Sequence, residues 1–99
     1  MARRIVWSYS ARNDLESIYR YLRCGSPLYA KRFLIKAREA AQSLKSFPNR
    51  GRIIPEYPES PVREIFIDSY RMMYRLVFDS IEIVGLIHMS RDFLLMGSD

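Results

Sequence analysis

The sequence predicts an α+β fold of two layers, in which a helical hairpin packs on one face of a mostly antiparallel sheet in the order β-α-α-β-β-β. Three observations carry that prediction. Two apolar stripes at helical spacing run between Ser8 and Lys45, broken once at Gly25-Ser26-Pro27. Three runs rich in β-branched and aromatic residues follow between Val62 and His88, separated by Asp68-Ser69 and Asp79-Ser80. A lone β-prone run, Arg3–Trp7, precedes the helices. Helices and sheet with one apolar side each bury those sides together by stacking as layers. At 99 residues the chain reads as one domain, residues 1–99. Its composition, 48% hydrophobic and 27% charged, is that of a globular chain and argues against intrinsic disorder.

Each element has its own signature. Ser8 is the expected N-cap of the first helix, with Ser10 as the alternative. Ala11, Leu15, Ile18, Tyr19 and Leu22 then form one face of an amphipathic helix. Arg12, Asn13, Glu16, Arg20 and Arg23 take the other face. Asp14 and Glu16 lie towards the positive end of the helix dipole, Arg20 and Arg23 towards the negative end. Gly25 is the expected stop. Ser26 at the N-cap with Pro27 at N1 starts the second helix, because the N–H that proline lacks has no intrahelical acceptor there. Ala30, Phe33, Leu34, Ala37, Ala41 and Leu44 form its stripe, and the short link makes the helices an antiparallel hairpin. Phe47–Pro61 carries Pro48, Gly51, Pro55, Pro58 and Pro61, so it reads as a loop or a partly extended connection. Strands follow at Val62–Ile67, Tyr70–Phe78 and Ile81–His88, and the tight turns between them imply an antiparallel meander. Strict alternation puts Tyr70, Met72, Tyr74, Leu76 and Phe78 on one side and Arg71, Met73, Arg75 and Val77 on the other. In the last strand the same rule groups Ile81, Ile83, Gly85 and Ile87. Phe93–Met96 make an apolar patch that must pack on the domain or on a partner.

Charge is divided unevenly. Residues 1–52 hold 12 basic and 3 acidic side chains, net +9, and residues 53–99 hold 4 basic and 8 acidic, net −4, which together give the formal +5. Most of the positive charge belongs to Lys31, Arg32, Lys36, Arg38, Lys45 and the other helical cations, off the apolar stripes. Either a solvated face or an acidic partner accounts for it. The longest stretch free of charged residues, Ile83–Ser90, is far short of the roughly 18–20 residues of a membrane span, and no membrane partner is expected. Cys24 is the sole cysteine, which excludes an internal disulfide. With no Cys/His cluster, no metal site or other cofactor is expected, and a reduced, cytoplasmic chain fits.

Several motifs, in order along the chain, carry a resemblance. Trp7-Ser8 is followed by Ala11, Asp14-Leu15, Ile18 and Tyr21. Then come Ser26-Pro27, Ala30 and Phe33-Leu34. Leu44, Pro48, Gly51-Arg52 and Pro55-Glu56 follow, then Arg63-Glu64-Ile65, Tyr70-Arg71 and Tyr74. His88 with Arg91-Asp92 closes the series. The ordered set resembles the RelE/ParE superfamily of toxins from type II toxin–antitoxin pairs, and the ParE branch in particular, over about the whole chain from Ile5 to Phe93.

The resemblance implies two activities. ParE-like members bind DNA gyrase, stabilise cleaved DNA and block replication, which needs a binding surface and no catalytic set. RelE-like members cut mRNA on the ribosome, which needs a base for a ribose 2′-OH, cations on the phosphate and an acid for the leaving oxygen. Glu56 is the candidate base, Arg63 and Arg71 the phosphate cations and His88 the acid. Against that alternative, nucleases of the family commonly place a tyrosine, or a lysine-rich or histidine–tyrosine set, at the active cleft, whereas this chain has Phe93 and no tyrosine near its C-terminus, and its only lysines are Lys31, Lys36 and Lys45. A scaffold that has lost its toxicity is a third reading. For docking on a target or an antitoxin the candidates are Arg63, Arg71, Tyr74, Arg75, His88, Arg91 and Phe93, with Phe93–Met96 and the Met72/Met73 pair as apolar contacts. Arg63, Arg71 and Arg75 are expected to converge on one sheet face as an anion site. The alternative is that they pair with Glu56, Glu64 or Glu82. Gly51 is expected at a tight bend. The resemblance further implies a cognate antitoxin, a hetero-oligomer with it, and a gyrase target or, in the alternative, the ribosome and mRNA.

Overall fold

The computed structural model describes residues 3–90. Arg91, Phe93 and the Phe93–Met96 patch lie outside the described residues. The elements are β1 (Arg4–Trp7), α1 (Tyr9–Gly25), α2 (Pro27–Ser43), β2 (Arg52–Ile53), β3 (Arg63–Ile67), β4 (Tyr70–Val77) and β5 (Ser80–His88). They form the expected α+β sandwich, with the sheet in the order β1-β5-β4-β3-β2. β1 runs parallel to β5 and every other pairing is antiparallel. The added strand, β2, has two residues and lies in the segment expected to be loop or partly extended.

Both helices start where serine can cap them. Ser8 Oγ accepts from the Ala11 N–H at 3.0 Å, and Ser26 Oγ accepts from the Tyr29 N–H at 3.2 Å. Gly25 does not stop α1 through a left-handed cap, since no described glycine has a positive φ. The stop comes one residue later. Ser26 is extended (φ −156°, ψ 108°), the conformation forced on a residue before proline, and it ends one helix and caps the next. The helices bury Ala11 and Ile18 from α1 and Ala30, Phe33, Ala37 and Ala41 from α2. Against them the sheet presents Ile65, Ile67, Met72, Tyr74, Ile81 and Ile83. Each fully buried large apolar side chain here contributes about 1.5–3 kcal/mol.

The expected alternation fails in β5, and a bulge is the reason. Met73 pairs with Gly85 but Tyr74 pairs with Ile83, so Val84 is an extra residue in β5. The insertion reverses the phase. Ile81, Ile83 and Leu86 join the core beneath the helices, whereas Ile87 joins Met73 and Ile54 in a second cluster on the open face. Met72 and Met73 are both fully buried, so both are core residues here.

Asp14 supports this irregular edge. β1 ends at Trp7, opposite Ile83, and leaves the outer edge of the rest of β5 without a strand beside it. The start of α1 takes over. The Ser8 N–H donates to Ile83 O at 3.0 Å, Ser8 Oγ donates to Val84 O at 3.3 Å, and Asp14 Oδ2 accepts from the Leu86 N–H at 3.0 Å. Asp14 therefore does not serve the helix dipole; the first turn of α1 carries no acid.

Both hairpins turn through two residues. Asp68-Ser69 is the expected first turn, closed by Ile67 and Tyr70. The second is Phe78-Asp79, one residue earlier than Asp79-Ser80, because Val77 pairs with Ser80.

Candidate functional site

The open face of the sheet carries a chain of buried charge. Consecutive residues of a strand point to opposite faces, so Glu64, Phe66, Arg71, Met73 and Arg75 lie away from the helices. Glu64, 1% exposed, accepts from Arg71 Nε on one carboxylate oxygen and from Arg52 Nε on the other, each at 2.6 Å. The remaining fork of Arg71 grips Glu56 with two parallel bonds of 2.9 Å. The alternation Arg52–Glu64–Arg71–Glu56 is electrically neutral and extends from β2 through the sheet to the proline-rich loop. These bonds to Glu56, then those to Glu64, raise the pKa of Arg71 further, against the opposing effect of burial. The Arg52 guanidinium stacks 5.0 Å from the centre of the Phe66 ring. A shallow cleft of about 240 Å³ lies over this group, bounded by Arg52, Pro55, Glu56, Phe66, Arg71 and Met89.

The sequence candidates divide between two faces. Arg63 pairs across the strands with Tyr74, not with Arg71, so it lies on the helix side and donates to the Gly51 carbonyl at 2.8 Å. The expected convergence of Arg63 with Arg71 and Arg75 does not occur, because Arg71 is an odd step along β4, three positions, from Tyr74, which faces Arg63. The alternative holds for two of the three. Arg71 pairs with Glu56 and Glu64, and Arg75 pairs with Glu82 at 2.7 Å. His88 pairs with Tyr70, whose ring meets it edge-on at 5.3 Å, and its Nδ1 lies 2.9 Å from Ser90 Oγ. Tyr70 and Arg71 are neighbours on one strand, so His88 and the Arg71–Glu56 pair are on opposite faces.

Tyr74 is fully buried and ties the loop to the sheet. Its hydroxyl donates to Pro48 O at 2.7 Å and accepts from the Gly51 N–H at 3.0 Å. Burial, the largest influence, raises its pKa. Gly51 is required here by crowding and not by its backbone angles. A Cβ there would come within 2.7 Å of Tyr74 Cε1 and Oη and 2.8 Å of Glu64 O. Gly51 lies at a bend, as expected, and the crowding around it is a further requirement that spacing does not reveal. Arg52 was missed as a network member, although the Gly51-Arg52 pair was part of the motif series.

The helix side has a different surface. Arg12, Arg20, Arg23, Lys31, Arg32, Lys36, Arg38 and Lys45 are all exposed. Between β1, α1 and α2 lies an apolar groove of about 360 Å³, with Trp7, Leu15, Tyr19 and Leu34 in it and Arg12, Glu16 and Arg38 around it. No helix among the described residues is long and apolar enough to cross a membrane, and no cluster of metal-ligating side chains occurs among them.

A mostly antiparallel sheet under a helical hairpin, with an ionic open face and a cationic helical one, describes a small toxin of the RelE/ParE kind. Residues 5–93 match the family described as ParE toxin of type II toxin-antitoxin system, parDE, and the chain belongs to that family. It is 32% identical over 88 residues to Toxin RelE2 of Caulobacter vibrioides, a match that covers 88% of this chain and 96% of that one. Among solved structures it resembles a chain of the chromosomal ParDE TA system from P. aeruginosa, with a TM-score of 0.71 and 20% identity over 90% of this chain and 98% of the other. It also resembles a chain of the toxin–antitoxin complex RelBE2 from Mycobacterium tuberculosis, with a TM-score of 0.61 and 18% identity over 89% of this chain and 99% of the other. Those two likenesses concern the fold. The protein is the toxin component of a type II toxin–antitoxin system.

Proposed function

We propose that this toxin works by docking on DNA gyrase and blocking replication, with no catalytic step or cofactor of its own, in the cytoplasm. One observation carries the reading. The side chains that mRNA cleavage would use, Glu56, Arg63, Arg71 and His88, are divided between two faces, and the Arg71 fork is engaged by Glu56 and Glu64. A phosphate cation already neutralised by carboxylates is poorly placed to stabilise a phosphorane-like transition state. The test is direct. Purified toxin is expected to inhibit gyrase supercoiling and to leave transcripts on translating ribosomes uncut. Cleavage in the ribosomal A site, abolished by Arg71→Ala or His88→Ala, would overturn the reading in favour of the RelE-type activity that the RelE2 relative suggests.

A cognate antitoxin completes the proposal. The two structural relatives belong to toxin–antitoxin systems, and the exposed cations of the helical hairpin suit an acidic partner that folds an amphipathic segment onto the Trp7–Leu34 groove. Co-expression with the adjacent reading frame is expected to give a stable hetero-oligomer whose assembly slows as salt rises. Failure to recover any complex would refute this partner.

A further inference from the structure

The two hairpin turns use one backbone solution with opposite chemistry. In each, the first of two loop residues is left-handed, with φ 54° at Asp68 and φ 56° at Phe78. Such positions favour glycine, asparagine or aspartate, since a Cβ there crowds the backbone and only a short polar side chain offsets the crowding locally. Asp68 meets that requirement and also accepts from Lys36 Nζ at 2.9 Å and from the Tyr29 hydroxyl at 3.1 Å. Phe78 fails it and is 98% exposed. A lone exposed apolar residue is ordinary. One held in a strained conformation, with its ring standing in water, has no compensation inside the fold, and strain of this kind collects at sites of function.

The surroundings indicate what the ring meets. The Phe78 turn is at the end of the sheet opposite Asp68, where α2 braces the other turn. Leu76, two residues before Phe78 on the strand that leads into the turn, is 41% exposed. Exposed Arg4 lies beside Ser80 with Arg3 just before it, and exposed Arg75 is three residues before Phe78; the acids at this end are Asp79 in the turn and Glu82, which pairs with Arg75. Apolar side chains flanked mainly by cations complement an apolar pocket with an acidic rim. An aromatic ring on a short hairpin loses little freedom on docking, which is why such rings dominate binding energy.

We propose that Phe78 is the anchor by which this toxin engages its protein target, seating in an apolar pocket rimmed by carboxylates, and that it takes no part in antitoxin binding. The inference rests on the docking reading above. Phe78→Gly and Phe78→Asn both suit the left-handed backbone, so folding is not at risk, and Phe78→Trp preserves the anchor. Expected for the Gly and Asn variants are a melting temperature at or above that of the unchanged toxin, affinity for the product of the adjacent reading frame within about twofold, and growth arrest and gyrase inhibition weakened about tenfold or more, with Phe78→Trp retaining both. Full growth arrest by the Gly and Asn variants would overturn the anchor. So would a parallel loss of antitoxin affinity, or a lowered melting temperature, which would place the ring's contacts inside the chain. Growth arrest by the unchanged toxin without gyrase inhibition would instead refute the gyrase target, and the anchor would then be judged on growth arrest alone.

Discussion

Beneath the helices, β3, β4 and β5 present Ile65, Met72 and Ile83 to Phe33 and Leu44, and these contacts involve no charge. On the open face the same strands present Glu64, Arg71 and Arg75, each held by an opposite charge. The first face is stabilised by area removed from water, which is non-directional and tolerant of a change in shape. The second is stabilised by geometry, and the loss of one member leaves its partner charged and dry. The difference matters for a docking protein. A neutral, locked network keeps the strands in register without offering a sticky apolar surface.

The largest expected effects test this contrast with pairs of substitutions. Phe33→Ala should cost about 3–5 kcal/mol through the cavity it leaves. Arg71→Ala should cost about 3–5 kcal/mol for a different reason, because buried Glu64 keeps only its bond to Arg52 and one of its oxygens is left dry and unpaired. The conservative partners separate the two mechanisms. Phe33→Leu keeps the chemistry and most of the volume, and should cost no more than about 1.5 kcal/mol. Arg71→Lys keeps the charge but loses the fork that meets Glu56 twice and Glu64 once, and should recover little of the loss. Urea unfolding of the four variants is the measurement. Equal recovery by leucine and by lysine would mean that the faces do not differ in the way described.

Gly51 and Tyr74 join the faces and should show the next largest effects. Tyr74 reaches from the covered side to Gly51, whose missing side chain leaves room for Tyr74 and for the Glu64 carbonyl. Gly51→Ala should cost about 1–3 kcal/mol through overpacking. Tyr74→Phe should cost about 1–3 kcal/mol because it strands the Gly51 N–H and the Pro48 carbonyl. The two changes touch the same atoms, so the double variant should fall short of their sum by an amount outside error. Strict additivity would show that the contact is not shared.

How much of this was legible in the sequence follows from the range of each interaction. The helices, their serine caps and the strands depend on spacing within a few residues, and they emerged as expected. The sense of Arg63 relative to Arg71 depends on register across a turn, where one residue reverses a face, and the expectation failed there. The Val84 bulge produced the same reversal in β5, and no local signal marks it. Glu56, Glu64 and Glu82 were visible as pairing alternatives because opposite charges in one small sheet have few other places to go. The Tyr74–Pro48–Gly51 contact was not visible, since it depends on where a loop of prolines returns. Phe78 went unnoticed because Asp79-Ser80 is the better turn by composition. Its misfit became apparent only when the pairing of Val77 with Ser80 placed it in the turn.

Asp14 gives the smallest effect and the sharpest test of the covered face, because it is a carboxylate at the edge of an apolar layer. Burial raises its pKa above the ordinary 3.8, although the Leu86 N–H opposes the shift. Asp68, on the exposed turn, is shifted the other way, first by its hydrogen bond to Lys36. The two must therefore contribute to stability with opposite sign. A group whose folded pKa is raised contributes fully below its unfolded value, about 3.9, and loses that contribution as pH rises through the folded pKa. A group whose folded pKa is lowered contributes above about 3.9 and loses that contribution as pH falls through the folded pKa. Asparagine at position 14 still accepts from Leu86 and has nothing to ionise. Asp14→Asn should therefore remove a fall in stability just above about pH 4, while Asp68→Asn should remove a separate loss below about pH 4. Melting temperatures across that range, read for the unchanged toxin and both variants, would show the two windows. Profiles that stay parallel for Asp14→Asn would mean that the edge of the covered layer is wet, and that Asp14 holds Leu86 at no cost from burial.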